Sequence, residues 1–183
     1  MTGKDEKLII ANFSGFFGDR FSAAWEIIEG GPIDVLTGDY LAELTMAILL
    51  RQKMKDPARG FAHTFLKQME KVMGACLDKK IRVVSNAGGL NPKGLAEELE
   101  KVAQALGLNP TIAYIEGDDL MPRLQDLQEK GETFTHLDSG VALKEAKGMP
   151  ITANAYLGGW GVSKALEKGA DIVVGGRLAD AAV

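Results

Sequence analysis

Short apolar runs alternate with stretches of helical periodicity from one end of the chain to the other. Leu8-Ile9-Ile10-Ala11 is apolar throughout and is stopped by Asn12 and by the glycines Gly15 and Gly18. Ser22 is placed to cap a helix over Ala23 to Glu29, which Gly30-Gly31-Pro32 breaks. Ile33 to Thr37 reads as a second strand, closing at Gly38-Asp39, and Leu41, Leu44 and Ile48 then recur at helical spacing until Asp56-Pro57. Phe61, Phe65, Met69, Val72 and Cys76 mark one face of a longer helix. Ile81 to Ser85 is a strand followed by the tight turn Asn86-Ala-Gly-Gly89. Asn91 caps the next helix with Pro92 at its first position, Leu95, Leu99, Val102 and Leu106 form its stripe, and Gly107 ends it.

Thr111 to Ile115 is another strand, ending in Glu116-Gly-Asp-Asp119 before a helix that runs to about Lys130. Residues 131–150 are polar and irregular. The pattern then gives a fifth strand, Ile151 to Tyr156, a glycine-rich turn, a short helix over Gly161 to Lys168, and a sixth strand at Asp171 to Val174. Strands apolar on both faces and separated by helices predict an α/β fold: a mostly parallel sheet with helices on both faces, doubly wound in the Rossmann-like manner. A partial (β/α) barrel is the alternative, since Gly-Ala-Asp-Ile-Val-Val-Gly-Gly-Arg also suits a barrel strand. No repeat, low-complexity tract or linker divides residues 1–183, and Arg177 to Val183 reads as the first turn of a helix. The expectation is therefore a single α/β domain that forms the N-terminal portion of a longer one.

Composition narrows the functional classes. At 183 residues the chain is long enough for one sizeable core, and its net charge of −4 gives no global field to draw it onto nucleic acid or an anionic membrane. No apolar run approaches the roughly 20 residues of a membrane span. The N-terminus lacks the apolar core of a signal peptide, so the chain reads as cytoplasmic. Cys76 is the single cysteine, which removes disulfides and thiolate metal clusters, and His63 and His136 fit no zinc spacing. No metal site is indicated. Cys76 reads as an inert core thiol and His63 as a surface residue.

Candidate chemistry collects at the carboxyl ends of the strands, where open parallel sheets bind ligands. The clusters are Asp19-Arg20, Asp39-Tyr40 with Glu43, Asn86 to Asn91, Glu116 to Asp119, Asn154 with Tyr156, and Arg177 with Asp180. Turns of this kind also need Gly, Asn and Asp for purely structural reasons, and Asp118 as a helix cap is the plainer reading of that residue. In Asn86-Ala-Gly-Gly-Leu-Asn91, Gly88 and Gly89 allow close approach of a ligand to backbone. Gly158-Gly159-Trp-Gly161, between a strand and a helix, is a second place for phosphate, although neither a Walker motif nor a full dinucleotide fingerprint is present. Glu116, Asp118 and Asp119 offer a general base or oxygen ligands for a divalent cation, and Arg177 offers a fork for a carboxylate or phosphate. His136 lies in the long irregular segment, where active-site loops occur.

Gly18-Asp-Arg-Phe21, Gly38-Asp-Tyr-Leu-Ala-Glu-Leu-Thr45, Asn86-Ala-Gly-Gly-Leu-Asn-Pro92, Glu116-Gly-Asp-Asp-Leu120, Ala153-Asn-Ala-Tyr-Leu-Gly158, Gly169 to Arg177 and Asp180 follow one another in order over nearly the whole chain. Together they resemble the acyclic terpene utilisation (AtuA-type) family. That resemblance implies a cytoplasmic protein encoded beside acyl-CoA catabolic enzymes of citronellol and geraniol breakdown. It also implies a domain longer than this chain. On it rests the expectation of an enzyme of acyclic terpenoid or branched acyl-CoA catabolism with hydratase or lyase chemistry. Asp19, Glu43, Asp118 and Asp119 would then serve catalysis. Arg20, Asp39, Asn86, Gly88, Gly89, Asn154, Gly158, Gly159, Arg177 and Asp180 would bind substrate. No cofactor is indicated beyond a CoA-linked substrate, and association with itself or with a pathway partner stays open. The alternatives are a non-catalytic assembly subunit and, on the strand, glycine turn and Arg177 after residue 150, an NADP-linked oxidoreductase.

Overall fold

The computed structural model describes residues 7–183; the residues before Lys7, part of the stretch read for a signal peptide, lie outside it. Five parallel strands form one open sheet in the order β1-β2-β3-β5-β4. They are β1 (Ile10–Asn12), β2 (Val35–Gly38), β3 (Arg82–Ser85), β4 (Ile112–Ile115) and β5 (Ile172–Gly175). The helices are α1 (Ala23–Gly30), α2 (Glu43–Lys55), α3 (His63–Asp78), α4 (Pro92–Ala105), α5 (Leu124–Glu129) and α6 (Trp160–Glu167). An open sheet with β1 and β4 at its edges is the α/β fold expected, and it rules against the partial barrel.

Alternation along each strand assigns the two faces. Leu36, Val83, Ile172 and Val174 point into the larger core with α1, α3 and α4, while Val84, Val173 and Ala113 meet α6 on the other face. The chain advances from β1 to β3, steps over one position to β4, and returns to β5. Crossovers of constant hand then force the returning helix, α6, onto the opposite face from α1, α3 and α4. The strand order thus reverses beside β3, and a crevice opens there at the carboxyl edge. The second face is covered incompletely. Between β1, β2 and α6 lies an open apolar hollow of about 430 Å³ lined by Ile10, Val35, Val84, Val162, Leu166 and Val183, with Leu8 and Ile10 exposed.

The apolar stripe of α3 is buried as its spacing predicts, from Phe65 through Met69 and Val72 to Cys76. Burial holds the Cys76 thiol up at about 12, as befits a core thiol, and His63 is exposed at the start of the helix. Asn91 caps α4 by accepting from the Gly94 N–H at 3.0 Å, with Pro92 at the first position. Other local readings are corrected. Ser22 makes no cap; its hydroxyl donates to Glu26 instead. In α2 the buried positions are Thr45, Met46 and Leu49, whereas Leu44 is exposed and Leu41 is buried ahead of the helix. Along α4, Leu106 is exposed and Ala103 is buried in its place. Residues 177–183 form only a short 3-10 turn, Asp180–Ala182.

The main correction concerns Ile151 to Tyr156, which forms no strand of the sheet. The segment crosses the carboxyl edge as a strap held by its neighbours' backbones. Leu120 N–H donates to Ala153 O and Ala155 N–H to Asp118 O, both at 2.8 Å, and Leu157 N–H donates to Arg177 O at 3.0 Å. Alternating polar residues, Thr152 and Asn154, suit a segment lying on a polar edge. They would be misplaced between two buried strands.

Candidate functional site

The crevice at the switch point is built by three turns. The β3 turn is set first. Ser85 Oγ donates to Gly38 O at 2.7 Å, and Asn86 uses its whole amide: Oδ1 accepts from Tyr40 N–H at 2.8 Å and Nδ2 donates to Asp39 Oδ1 at 2.5 Å. Asn86 is fully buried, so it and Asp39 lock the ends of β2 and β3 together. Tyr40 is buried against Phe13 and Phe65 with its phenol on Gln68, and burial drives that phenol's pKa upward. Gly88 is required by packing: a Cβ there would lie 2.5 Å from Gly175 O and 2.7 Å from Pro92 Cα, both backbone. This contact brings the β3 and β5 turns together at the base of the crevice.

Asp118 organises the far wall. It caps no helix; it is buried, and its Oδ2 accepts from Arg177 N–H at 2.7 Å and from Asn154 Nδ2 at 2.9 Å. Its carboxylate lies flat on Gly176, where a Cβ would be 2.6 Å from Cγ. Asp119 takes the turn-forming role, accepting from Met121 N–H at 3.0 Å. The β3 and β4 turns enclose a cavity of about 280 Å³ lined by Lys53, Gly89, Asn91, Glu116, Asp118 and Asp119, among others. Larger hollows lie on the apolar sheet face and beside the amino end of β4, away from the clustered carboxylates and amides.

A second cluster adjoins it on the rim. Tyr156 donates its hydroxyl to Glu43 Oε1 at 2.5 Å, and the Arg177 guanidinium sits over the Tyr156 ring, 4.1 Å from its centroid. The hydroxyl of Tyr156, the N–H of Glu43 itself and the charge of Arg177 hold the Glu43 carboxyl below its usual range, against slight desolvation. Arg177 also reaches Asp180 Oδ1 at 3.2 Å. Burial opposes its charge, but Tyr156 and Asp180 outweigh burial and keep the guanidinium firmly protonated.

The expected residues thus fall into groups. Asp118, Asp119, Asn154, Gly88, Gly89, Asn86 and Asp39 meet around the crevice, and Glu43, Arg177 and Asp180 meet on its rim. Asp19 and Arg20 stand apart at the end of β1. Asp19 closes its own loop by accepting from the N–H groups of Gly15 and Arg20, which lowers its pKa, and Arg20 pairs with Glu26 at 2.8 Å. Gly158 and Gly159 lie at the start of α6, with Gly159 facing the apolar hollow and not the cavity. His136 serves its own loop, its Nδ1 accepting from Asp138 and Ser139 N–H at 3.2 Å. With no strand before the glycine turn, the arrangement that suggested NADP is not formed. Lys53 was missing from the candidates, and Tyr156, named in a rim cluster, was assigned no role. Tyr156 was legible as a rim aromatic, whereas Lys53 sits in an ordinary helical pattern with nothing to mark it.

Fold and crevice place the chain among open parallel α/β proteins, whose ligands bind where the strand order reverses at the carboxyl edge. Residues 8–183 match the family model described as acyclic terpene utilisation family protein AtuA, and the chain belongs to that family. No curated protein and no solved structure matches it. Among the described residues no helix is long and apolar enough to cross a membrane, and no group of three or more His, Cys, Asp and Glu is placed to hold a metal ion.

Proposed function

We propose that the chain is part of an enzyme of acyclic terpenoid or branched acyl-CoA catabolism that adds or removes water at a CoA thioester. The observation that carries this reading is the cavity where an ammonium, Lys53, shares a wall with three carboxylates, Glu116, Asp118 and Asp119. Membership of the acyclic terpene utilisation family supports an acyclic, branched substrate. Lys53 donates one N–H to Leu90 O at 2.6 Å, which leaves two donors for a thioester carbonyl oxygen. In hydration, exposed Asp119 takes a proton from water as the oxygen bonds to the β-carbon. The alkene pair moves toward the carbonyl, whose oxygen gains charge against Lys53, and a proton then returns to the α-carbon. Asp118, tied to Arg177 and Asn154, positions Asp119. Asn86 and Asp39 hold the opposite turn. A volume of about 280 Å³ takes the acyl head, with the rest of CoA lying outside.

The test is turnover of a branched enoyl-CoA, followed by loss of the conjugated thioester's absorbance. Asp119→Asn lowers kcat by about 10²–10⁴, the usual contribution of a positioned base. Unchanged turnover in Asp119→Asn and Lys53→Met would remove the assignment. A non-catalytic assembly subunit is the second reading, favoured by the open apolar hollow beside β1 and β2. It predicts no turnover by any variant and recovery of the intact protein with a partner enzyme.

A further inference from the structure

The loop after α2 begins on exposed Asp56-Pro57-Ala58-Arg59 and ends on buried Gly60. Loops of this kind run over the surface, where water can meet their carbonyls. Here three carbonyls in succession turn to the β3 turn instead. Asn91 Nδ2 donates to Ala58 O at 3.0 Å and to Arg59 O at 3.1 Å, and Leu90 N–H donates to Gly60 O at 2.8 Å. Capping α4 uses only the acceptor of Asn91, whose Oδ1 takes the Gly94 N–H at 3.0 Å, and an aspartate or serine would cap as well. The amide donors are surplus to the cap, and they clasp the loop.

The clasped loop lies against Lys53. Gly60 has a φ of +108°, and a Cβ there would lie 3.1 Å from Lys53 Cδ and 3.4 Å from Lys53 Cβ. The lysine stem therefore rests on Gly60, while Nζ reaches Leu90 O at 2.6 Å. Lys53 is half-buried and lines the same cavity as Asn91. An unconfined lysine samples many rotamers; this one is held between a loop and a turn that a single amide ties together. We infer that Asn91 is a positioning residue for Lys53: its Nδ2 group keeps the 56–60 loop against the lysine stem and so fixes where the ammonium meets a ligand. The catalytic consequence rests on the thioester reading, whereas the positioning is a property of the chain alone.

Asn91→Asp and Asn91→Ser both keep a capping oxygen and lose the amide donors. Wild type and variants are acetylated with limiting acetic anhydride, and the rate at each lysine is read by peptide mass spectrometry. The expected result is a rise at Lys53 of about fivefold or more, the factor that one net hydrogen bond is worth, with exposed Lys67 and Lys71 on α3 unchanged. With a branched enoyl-CoA, kcat falls about tenfold in both variants and KM stays within about twofold, because Lys53 acts on the carbonyl oxygen as it gains charge. Unchanged labelling of Lys53 in both variants overturns the inference. So does a rise shared by Lys67 and Lys71, the mark of general loosening after a lost cap, or an unchanged kcat in both variants of an active enzyme. Neutral Asn91→Ser decides the matter if Asn91→Asp does not fold. A wild type that turns over no enoyl-CoA removes the thioester reading, and the labelling then decides the positioning by itself.

Discussion

Replacing Asp118 by alanine tests the organisation of the crevice with a magnitude that can be worked through. The carboxylate accepts two hydrogen bonds on one oxygen, from the buried Arg177 N–H at 2.7 Å and from the part-buried Asn154 amide at 2.9 Å. A buried N–H left without an acceptor costs about 1–3 kcal/mol, and the half-solvated amide adds about 0.5–1 kcal/mol. The sum is about 1.5–4 kcal/mol. For a urea m-value near 2 kcal/mol/M, the midpoint moves down by about 1–2 M with m unchanged. Asn154→Ala shares one of these bonds, so the double variant falls short of additivity by about 1 kcal/mol. Gly176→Ala gives an internal control. Its Cβ would lie 2.6 Å from Cγ of Asp118, so it is destabilising in the wild-type background and much less so beside Asp118→Ala, where that carboxylate is gone. A loss below about 1 kcal/mol for Asp118→Ala, or a Gly176→Ala cost that is the same in both backgrounds, would refute the reasoning.

Three further expectations follow from the same geometry. Gly88→Ala pushes a methyl against the backbone of Gly175 and Pro92, neither of which can rotate away, and should cost roughly 2 kcal/mol or more in denaturant unfolding. Glu43 has a folded pKa below its ordinary 4.5, so its stabilising contribution is present above that value and is lost as pH falls through the folded pKa. The stability difference between wild type and Glu43→Gln should therefore be flat at neutral pH and shrink below pH 4.5, as acid titrations of the melting temperature will show. Cys76, buried with its thiol held at about 12, should resist iodoacetamide at pH 8 in the native state and react in urea at the rate of unfolding.

Much of this architecture can be read from residue order because each piece has a local cause. The Asn91-Pro92 cap, the α3 stripe and the apolar runs of β2, β3 and β5 arise from spacing and side-chain chemistry alone. The positions that escaped such reading depend on what arrives from elsewhere in the chain. Ile151 to Tyr156 has the length and composition of a strand, yet its backbone partners are Asp118, Leu120 and Arg177, and only tertiary packing selects them over a sheet neighbour. Asp118 has the sequence setting of a helix cap but is claimed by an amide 36 residues away and a backbone N–H 59 residues away. Lys53 enters the cavity because α2 passes beside the β3 turn, a placement no local pattern encodes. The polar clusters at the strand ends were legible together. Their division into crevice, rim and the separate β1 loop was not, since that division follows the strand order.

The central claim is that the cavity between the β3 and β4 turns holds the head of a branched acyl thioester. Thermal melts of the chain with and without such a thioester, in wild type and Lys53→Met, test it most directly. At about a hundredfold excess over Kd, ligand adds about 2.7 kcal/mol, a rise of roughly 5–10 °C for a domain of this size. The account predicts that rise in wild type and a much smaller one in Lys53→Met. A shift of equal size in both proteins, or none in either, would contradict it.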